Sequence, residues 1–479
     1  MPLDQPTIKS AINVANDGDT VLVAPGTYFE NNINFKKKAI TITSESGPQD
    51  TIIDGGKANP VVVFGSGEGR GSVLNGFTLQ NGKAFFDFLA GGGILIRNSS
   101  PTITNNVITN NMGCFGGGIG ISGGSPLIQG NTITNNNGNA RSGGACGGGG
   151  ISVVEAPIVE ILDNVISDNM SLFRGDGGGI YLSGAGTPII KRNIIKGNSA
   201  PAGLGGGINL RNEVEALIVQ NRITGNQAAD GGGIFSIVQN GVIVNNTIAD
   251  NVSLSGGSGV WAFASNGFQL INNIIVATPG QVGLYCNSIS QTSLIRFNNI
   301  YSAGGMAYGG SCSDRVGTDG NISADPLFTN PTQGDYHLQQ GSPSIDAGDN
   351  QAPNLPDKDL DGHPRILDGD GDGTATVDMG VYEFLTPPSF GASLRDGSNG
   401  NMLKINSTNC QYLFTRCRGI PLIESHLKPA HTPCLYQLAA GKFDAGISNI
   451  RYGEGERIRR HLARQSDRTL ALGAPSTSF

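Results

Sequence analysis

The sequence of 479 residues contains few charged residues, few aromatic residues and no long apolar run. Charged residues make up 14% of the chain and aromatic residues 6%, with a single Trp. A membrane-spanning helix needs about 18 or more consecutive apolar residues, and an export signal needs a charged segment followed by an apolar one. Neither pattern is visible, so we expect no membrane span and see no signal peptide in the sequence.

Histidine and basic residues are also scarce. The first of the 5 His is His337, so the region before it cannot supply a His-based triad or a His general base. Residues 1–384 have a formal charge of −13, and residues 385–479 have one of +6. Neither region is basic enough to suggest nucleic acid as a partner.

Glycine and asparagine are abundant instead, and both recur periodically. The 74 Gly and 45 Asn make up about a quarter of the chain. Gly triplets followed by Ile begin at Gly91, Gly116, Gly148, Gly177, Gly205 and Gly231, with a degenerate copy at Gly256. An Asn two residues before an Ile follows the same period at Asn106, Asn131, Asn164, Asn193, Asn221 and Asn246, and less regularly at Asn273 and Asn299. A period of 25 to 32 residues that is marked twice predicts a solenoid.

Short segments rich in β-branched residues separate these marks, for example at 101–104 and 107–109, and predict strands rather than helices. Three short strands per repeat fit one coil of a parallel β-helix, in which equivalent residues stack at ~4.8 Å. We therefore predict an all-β, single-stranded solenoid of about ten coils. Ile columns should fill its interior, Asn side chains should hydrogen-bond along one corner, and Gly triplets should form tight turns at another.

The regions outside the repeat predict a helix at one end and a cap at the other. Apolar residues at Ile8, Ala11, Ile12 and Ala15 lie on one helical face. We expect residues 1–18 to form a capping helix that ends at Gly18 and covers the open end of the solenoid. Residues 19–325 should form the β-helix and residues 326–384 a loop-rich C-terminal cap over the last coil.

Residues 385–479 differ from the rest and have no assigned fold. They contain Cys410, Cys417 and Cys434 and a basic run at 457–460. A displaced reading frame, an extension without a fixed fold, a further domain and a basic interaction helix all remain open for this tail.

The repeat and its entry segment resemble a known group of proteins. The segments Gly18–Val21 and Pro25–Tyr28, with the repeated Asn-x-Ile-Thr-x-Asn and Gly-Gly-Gly-Ile units, resemble right-handed parallel β-helix proteins of the pectate-lyase-like superfamily. The resemblance implies the fold but no single function, because that superfamily contains lyases, hydrolases, epimerases, adhesins and binding proteins. The Gly-His-Gly and Asp-Asp marks of polygalacturonase-like hydrolases and the Asp-Pro-His of alginate epimerase-like enzymes do not occur here.

Asp168, Arg174 and Asp176 form the candidate catalytic cluster. Asp176 and Asp230 share a column two coils apart, about 10 Å on the coil spacing, and Asp168 shares another column with Asp250. Carboxylates beside an Arg could bind a sugar carboxylate and assist proton abstraction, as a polyuronate lyase requires. The alternative is charge on solvated loops.

A possible sugar-stacking strip is the second candidate surface. Tyr181, Trp261 and Phe263 lie on the same type of strand, and Arg97 and Arg211 occupy equivalent positions four coils apart. The aromatic residues could stack on sugar rings, or they could be core or isolated surface residues.

The chain has 7 Cys, of which four predict two disulfides. Cys114 and Cys146 occupy equivalent positions before adjacent triplets, and Cys286 and Cys312 are 26 residues apart, again about one coil. A separation of about 5 Å between stacked Cα atoms lies within the disulfide range. Two disulfides would indicate an oxidising, extracellular setting. Reduced Cys in tight turns are the alternative.

Residues 325–384 are acidic. The segments Asp325–Phe328 and Asp378–Phe384 resemble the C-terminal part of bacterial surface β-helix proteins of the choice-of-anchor Q family, which implies a bacterial surface or exterior. The candidate metal ligands are Asp357, Asp359, Asp361, Asp368, Asp370, Asp372 and Asp378. Alternating Asp followed by Gly favours a Ca²⁺ loop, and the ion would order the cap. A solvated acidic loop without an ion is the alternative.

These patterns together favour an extracellular or cell-surface protein that binds extended polysaccharide or acts as an adhesin. We expect it to be a monomer with a glycan partner. A polyuronate lyase and a structural spacer without a ligand are the alternatives.

Overall fold

The computed structural model describes residues 5–386 apart from short gaps, and the backbone of four strands after them. The gaps are residues 85–90, 139–145, 173–174, 185, 213, 238–239, 264–266, 289–291 and 313, and the later strands lie within 391–423. The chain divides into two compact units, Met1–Phe384 and Leu385–Phe479. None of the helices in the described part is long and apolar enough to cross a membrane.

The predicted N-terminal helix is present as Ile8–Val14. It begins after Thr7, whose side chain accepts a hydrogen bond from the Ser10 amide at 3.0 Å, while the Ser10 hydroxyl accepts one from the Thr7 amide at 3.1 Å. This capping box satisfies two amides that a helix start leaves unpaired. Ile8, Ala11 and Ile12 pack against the core of the β-helix.

The helix ends earlier than the sequence predicts. Ala15 has an extended backbone and is the C-cap, whereas Gly18 lies in a later turn with φ of 89°. The ammonium group of Lys38 donates hydrogen bonds to the carbonyl groups of Ile12 and Ala15, both at 2.6 Å. Lys38 therefore satisfies the end of the helix, and Gly18 does not act as the predicted C-cap.

Three parallel sheets run the length of the β-helix, each with 11 strands. Sheet 1 contains Thr20–Val23, Thr41–Ser44, Val73–Asn75, Thr102–Thr104, Leu127–Gln129, Glu160–Leu162, Ile189–Lys191, Leu217–Val219, Val242–Val244, Gln269–Ile271 and Leu294–Arg296. Sheet 2 contains Gly26–Phe29, Thr51–Asp54, Thr78–Gln80, Val107–Thr109, Thr132–Thr134, Val165–Ser167, Ile194–Lys196, Arg222–Thr224, Thr247–Gly256, Ile274–Ala277 and Asn299–Ser302. Sheet 3 contains Ile33–Asn34, Val62–Phe64, Ile94–Arg97, Ile119–Ser122, Ile151–Val154, Ile180–Ser183, Ile208–Arg211, Ile234–Ser236, Val260–Phe263, Val282–Asn287 and Met306–Gly310.

A further set of short strands, here called the side ladder, connects sheet 2 to sheet 3. Its strands are Lys83–Ala84, Met112–Gly113, Asn137–Gly138, Met170–Ser171, Ser199–Leu204 and Gln227–Asp230, and it merges with sheet 2 at Thr247–Gly256. The three sheets confirm the predicted solenoid of about ten coils, with each strand pairing in register with the strand one coil away.

Columns of aliphatic side chains fill the interior, as predicted. The column of sheet 2 includes Ile108, Ile133, Ile166, Ile195, Ile223 and Ile248, all fully buried. Each such side chain contributes roughly 1.5–3 kcal/mol by leaving water. Because the columns repeat in all three sheets, one apolar core runs from the N-terminal helix to the last coil.

Stacked Asn side chains form two ladders, one more than predicted. In the first, the Asn106 side chain donates to Asn131 Oδ1 at 3.1 Å, and the ladder continues through Asn164, Asn193, Asn221, Asn246, Asn273, Asn298 and Asn321. The second consists of Asn111, Asn136, Asn169, Asn198, Asn226 and Asn251. Asn298, rather than the predicted Asn299, belongs to the first ladder, because the Asn299 side chain donates to Ser344 at 2.9 Å.

The Gly triplets need glycine for two different reasons. In most of them, the first Gly has a positive φ, for example 64° at Gly177. The next two lie against the neighbouring coil: a Cβ on Gly178 would lie 2.5 Å from the Ser199 amide nitrogen, and one on Gly179 would lie 2.6 Å from a carbonyl oxygen. The triplets are therefore tight turns in which the backbones of adjacent coils nearly touch.

Residues 326–384 pack along the side of the β-helix, which corrects the prediction of a cap over the last coil. Phe328–Asn330 pairs with Asp335–Leu338 around the 3-10 helix Pro331–Gln333, and Ile366–Leu367 pairs with Thr376–Val377. Ala352 packs on Val219, Val244 and Ile271 of sheet 1, and Val381 and Tyr382 pack on Ala249 of sheet 2. The apolar residues of this segment thus bury outward side chains of several coils, and we call the segment the lateral cap.

The second unit contains a four-stranded antiparallel sheet. Its strands are Gly391–Gly397, Gly400–Asn406, Gln411–Cys417 and Ile420–Ile423. Part of the tail that the sequence left unassigned therefore has regular structure. Cys410, Cys434 and the basic run at 457–460 lie outside the described residues.

Candidate functional site

The outward residues of sheet 3 form a continuous column. In strands such as Ile180–Ser183 and Val260–Phe263 the first and third residues point into the core, so the second points outward. The outer column consists of Leu95, Gly120, Ser152, Tyr181, Asn209, Phe235, Trp261, Tyr285 and Gly309. The contacts that the lateral cap makes in the described chain fall on sheets 1 and 2. In the outer column, Leu95, Ser152, Asn209 and Phe235 are nevertheless buried, and the half-buried side chains are Tyr181, Trp261 and Tyr285.

Three aromatic residues in consecutive coils of the outer column contact one another. The ring centroids of Phe235 and Trp261 lie 5.0 Å apart, and those of Trp261 and Tyr285 lie 5.4 Å apart, both nearly perpendicular. Tyr181 lies two coils from Phe235 and contacts Phe115 at 6.0 Å. Of the predicted strip of Tyr181, Trp261 and Phe263, the first two lie in the outer column together with Phe235 and Tyr285, whereas Phe263 lies two residues further along its strand. The sequence analysis did not predict Phe235 or Tyr285. Phe235 is an isolated aromatic residue after its Gly triplet, and Tyr285 does not follow a Gly triplet.

Asp176 lies beside this column and forms an ion pair across it. Asp176 Oδ2 lies 2.8 Å from Arg211 Nη2, and Asp176 Oδ1 accepts a hydrogen bond from the Leu204 amide at 2.9 Å. The residue is 8% exposed. Burial raises the pKa of the Asp176 carboxyl above its ordinary value, and the Arg211 guanidinium and the Leu204 amide offset part of that rise.

Asp230 occupies the same column as Asp176, with Leu204 between them, as the sequence predicts. Its carboxylate accepts a hydrogen bond from the Ser255 hydroxyl. Burial raises the pKa of Asp230, and the Ser255 hydrogen bond offsets part of the rise. Two partly desolvated carboxylates thus flank the aromatic residues.

Four buried polar atoms on this face have no hydrogen-bond partner in the described chain. They are Ser152 Oγ, Asn209 Oδ1, Arg211 Nε and Trp261 Nε1. The Asn209 amide group donates to the Leu204 carbonyl at 3.0 Å, so only its oxygen is unpaired. Buried polar atoms in folded proteins are satisfied by protein, by water or by a ligand. Asn209 and Arg211 lie in one strand and Trp261 lies two coils further along. Asn209 is fully buried, whereas Arg211 and Trp261 are half-buried and lie within reach of the surface.

The structure gives the three predicted catalytic residues different positions. Asp168 forms a corner after sheet 2, with φ of 56°, and its carboxylate lies against Gly197 of the next coil. Asp250 shares that corner column and accepts a hydrogen bond from the Tyr336 hydroxyl at 2.6 Å. Arg174 lies outside the described residues. Asp176 therefore lies beside sheet 3 and pairs with Arg211, whereas Asp168 lies at the corner after sheet 2.

Both predicted Cys pairs form disulfides between adjacent coils. The Cα atoms of Cys114 and Cys146 lie 4.9 Å apart, and those of Cys286 and Cys312 lie 5.1 Å apart. The first disulfide contacts Phe115, next to the outer column. The second holds the chain that leaves the last strand of sheet 3, and Cys312 packs on the end of the core.

Several predicted metal ligands in the lateral cap bind backbone amides instead. Asp359 is fully buried, and its Oδ1 accepts hydrogen bonds from the amides of His363 at 2.7 Å and Asp361 at 3.0 Å. Asp378 accepts one from the Asp346 amide at 2.7 Å, and burial raises its pKa to about 7. These carboxylates hold the loops of the cap together.

Of the other predicted ligands, two lie in a cluster of three carboxylates, and the rest make hydrogen bonds elsewhere in the cap. Oxygens of Asp368, Asp370 and Asp346 lie within 4.8 Å of one another. Asp361 instead bonds to His337, while the Asp372 carboxylate accepts from the Thr374 amide and the Asp357 carbonyl accepts from the Arg365 amide. The sequence missed Asp346 because it lies far from the Asp-Gly run. Asp346 Oδ1 is buried without a partner, and burial, together with the charges of its two neighbours, raises the pKa of Asp346.

Two comparisons with known proteins give matches to β-helix proteins. The family model described as right handed beta helix region matches residues 61–229. The chain contains a right-handed parallel β-helix. Among solved structures, the crystal structure of pectate lyase Pel9A is similar, with 16% sequence identity, 79% of this chain and 90% of that chain covered, and a TM-score of 0.45. None of the curated proteins is similar enough in sequence to count as a relative of this β-helix protein.

Proposed function

We propose that this protein binds extended polysaccharide along the outer face of sheet 3. The observation that carries the proposal is the column of half-buried rings of Tyr181, Trp261 and Tyr285, with the Asp176–Arg211 pair alongside. The buried Phe235 packs against Trp261 and supports it. A ligand that stacks on rings and accepts and donates hydrogen bonds would match this face. Because the face repeats with each coil at ~4.8 Å, it suits a polymer better than a single small molecule.

The exterior of a bacterial cell is the setting that we propose for this binding. The disulfides Cys114–Cys146 and Cys286–Cys312 support an oxidising compartment. A glycan on another cell surface would make the protein an adhesin with the same binding face. A monomer is sufficient for this function, because the face is built by one chain.

The proposal is tested by measuring the binding of a panel of pectin, alginate and neutral plant and bacterial glycans by affinity electrophoresis and calorimetry. The variant Trp261→Ala should weaken binding at least about tenfold, because truncation removes the central ring of the aromatic run. Phe29→Ala is the matched control, since Phe29 is 80% exposed on the outer face of sheet 2. Retention on none of the glycans would overturn the proposal and leave the spacer alternative.

A polyuronate lyase is the second candidate, because a partly desolvated Asp176 lies beside a guanidinium. The same incubations, followed by absorbance of unsaturated uronate, separate catalysis from binding. Product formation that Asp176→Asn abolishes would favour the lyase over a protein that only binds.

We also propose that a structural Ca²⁺ is held by Asp346, Asp368 and Asp370 in the lateral cap. Ca²⁺ prefers several oxygen ligands at 2.3–2.6 Å, roughly, and three carboxylates within reach of one another supply part of that set. The buried, unpartnered Asp346 Oδ1 supports the proposal, since a cation would satisfy it.

A further inference from the structure

We infer that one subsite of the glycan face lies in the coils of Asp230, Trp261 and Tyr285, and that Asp230 recognises the hydroxyl groups of the sugar bound there. The inference rests on the glycan-binding function proposed above. It adds the position of one sugar and a specificity-determining carboxylate, neither of which that proposal assigns.

A column of turn residues lies outside the outer column of sheet 3. Its members, which are linked from coil to coil, are Gly147, Asp176, Leu204, Asp230 and Gly256. A Cβ on Gly147 would lie 2.5 Å from the Tyr181 ring, so this turn column covers the sheet 3 strand one coil further along. A ligand on this face therefore meets the turn column first and reaches the rings of sheet 3 only where that column leaves them uncovered.

The turn column leaves the ring of Tyr285 partly uncovered. Three glycines surround this ring: a Cβ would lie 3.7 Å from it on Gly256, 3.3 Å on Gly309 and 3.0 Å on Gly310. Because none of them has a side chain that could lie over the ring, Tyr285 stays half-buried. A sugar can therefore pack its apolar side against the uncovered part of this ring.

Asp230 offers an open carboxylate oxygen beside this ring. It pairs with Gly256, so it lies one coil, or about 4.8 Å, from a residue that contacts Tyr285. In the described chain its carboxylate accepts one hydrogen bond, from the Ser255 hydroxyl to Oδ1. The side chain is half-buried, and its Oδ2 is left to accept from a sugar hydroxyl. Such a bond is strong, because the acceptor is ionised.

Asp176, two coils earlier in the turn column, does not offer such an oxygen. Its Oδ2 lies 2.8 Å from Arg211 Nη2, and its Oδ1 accepts from the Leu204 amide at 2.9 Å. Arg211 is the fourth residue of its strand, and the fourth residue of the strand one coil after Asp230 is Phe263. Asp230 thus has no counterpart of Arg211 in that strand, and a sugar can reach its carboxylate without displacing a guanidinium.

The single Trp of the chain makes this subsite measurable. The ring centroids of Trp261 and Tyr285 lie 5.4 Å apart, so a sugar against Tyr285 should change the fluorescence of Trp261. Glucomannan, xyloglucan and polygalacturonate are titrated into the wild-type protein and followed by fluorescence and by calorimetry. For each probe that binds, the two methods should give the same dissociation constant. Binding heat without a change in fluorescence would contradict the inference, because the glycan would then lie elsewhere.

Asp230→Ala should weaken the binding of such a probe at least about tenfold, because a hydrogen bond to a charged group is lost. Ser255→Ala should have a smaller effect, since it only releases the carboxylate. Glu215→Ala is the matched control. Glu215 is exposed, lies outside the turn column and accepts a hydrogen bond at 2.9 Å from Asn240, which is 25 positions later, as Ser255 is from Asp230. We expect its affinity to equal that of the wild type, and equal losses in the two Ala variants would overturn the role of Asp230.

The outcomes separate this inference from the proposed function. Wild-type affinity in Asp230→Ala contradicts the inference while glycan binding stands. Wild-type protein that binds none of the probes contradicts the proposed function itself. The fluorescence titration of the wild type does not depend on the folding of any variant, and thermal melting curves verify that the variants are folded.

Discussion

The outer faces of sheets 1 and 3 are built by the same coils, but in the C-terminal half of the β-helix they differ in residue type and in contact with the lateral cap. On sheet 1, the last outward position of each strand changes from polar residues, such as Thr104 and Gln129, to Val219, Val244 and Ile271, which the lateral cap buries. On sheet 3, the outward positions of the same coils are aromatic and polar and face away from the cap. The lateral cap thus buries the outward residues of sheet 1, whereas Trp261 and Tyr285 of sheet 3 stay half-buried, and we propose that a glycan contacts them.

The contacts on the covered side explain why it is fixed. Arg192 and Gln220, at the corner between sheets 1 and 2, donate hydrogen bonds to the carbonyl oxygens of Asp359 at 2.7 Å and Lys358 at 2.6 Å. Arg222 donates to the Gly334 carbonyl at 2.9 Å. We therefore expect substitutions under the cap to change stability without changing glycan binding. Substitutions on the face of sheet 3 should mainly change binding.

The largest expected effect comes from Arg365, the largest fully buried side chain of the described chain. Its Nε lies 3.2 Å from Glu383, and its Nη2 donates to the carbonyl groups of Asp378 and Gly380 at 2.9 and 3.0 Å. Arg365→Met would leave buried carboxylates without a cation and should lower the free energy of unfolding by about 3–5 kcal/mol in urea denaturation. Glycan affinity should not change in the folded protein.

Arg315→Met is the control for this variant. Arg315 pairs with Asp319 at 3.9 Å, and Asp319 is largely exposed. An exposed pair contributes about 0–1 kcal/mol, so the loss should be correspondingly small. Equal losses in the two variants would show that the lateral cap does not depend on its buried charges.

The disulfides should have the second largest effect. Both should contribute to stability, but only one of them should also affect glycan binding. Replacing either pair by Ser should cost about 2–4 kcal/mol, because each disulfide closes a loop of more than twenty residues. Only the loss of Cys114–Cys146 should also weaken glycan binding, since Phe115 beside it supports Tyr181. Unchanged binding in that variant would restrict the site to the coils of Phe235, Trp261 and Tyr285.

The sequence predicted the periodic part of the structure well and the lateral cap poorly. Ile columns, Asn stacking and Gly turns repeat with one period, so each was visible many times. The second Asn ladder was also present in the repeated Asn-x-Ile-Thr-x-Asn unit, whose second Asn was not assigned a role. The contact between Arg192 and Asp359 joins residues 167 positions apart and occurs once, so no pattern could indicate it.

The candidate site was only partly predictable for the same reason. Asp176, Asp230 and Trp261 were found because each has a fixed distance from a triplet. Their actual partners were not found: Arg211 reaches Asp176 from the next coil, and Asn209 contributes an unpaired oxygen that only the packing reveals. Side-chain direction and burial, rather than residue type, decide which residues meet on this face.

Cation binding should have the third effect and should concern the covered side alone. If Asp346, Asp368 and Asp370 hold Ca²⁺, adding the ion at 100 times its dissociation constant should stabilise the protein by about 2.7 kcal/mol, and a chelator should reverse this. Asp346→Asn should abolish the response in thermal melting. Asp372→Asn is the control, because Asp372 lies in the same loop outside the group. Equal Ca²⁺ responses in both variants would exclude Asp346 as a ligand.

The smallest effect should come from His337 and should depend on pH. Its Nε2 lies 2.7 Å from Asp361 and its Nδ1 lies 2.6 Å from Asp335, and its ring stacks on Tyr382. The hydrogen bond with Asp361 is the main reason that the pKa of His337 is raised, the Asp335 contact adds to it, and burial opposes it. Protonated His337 thus stabilises the fold at a pH below the ordinary His value of about 6.5, and this contribution disappears as the pH rises through the higher folded-state pKa.

His337→Gln should therefore lower the melting temperature more at pH 5.5 than at pH 8.5, with a loss of less than about 1 kcal/mol because the side chain is 43% exposed. Glycan affinity should be the same for wild type and variant at both pH values. A melting-temperature loss that is equal at the two pH values would mean that His337 acts through its stacking on Tyr382 alone. A change in glycan affinity would show that the lateral cap influences the face of sheet 3, because the contacts of His337 are with Asp335, Asp361 and Tyr382 of the cap.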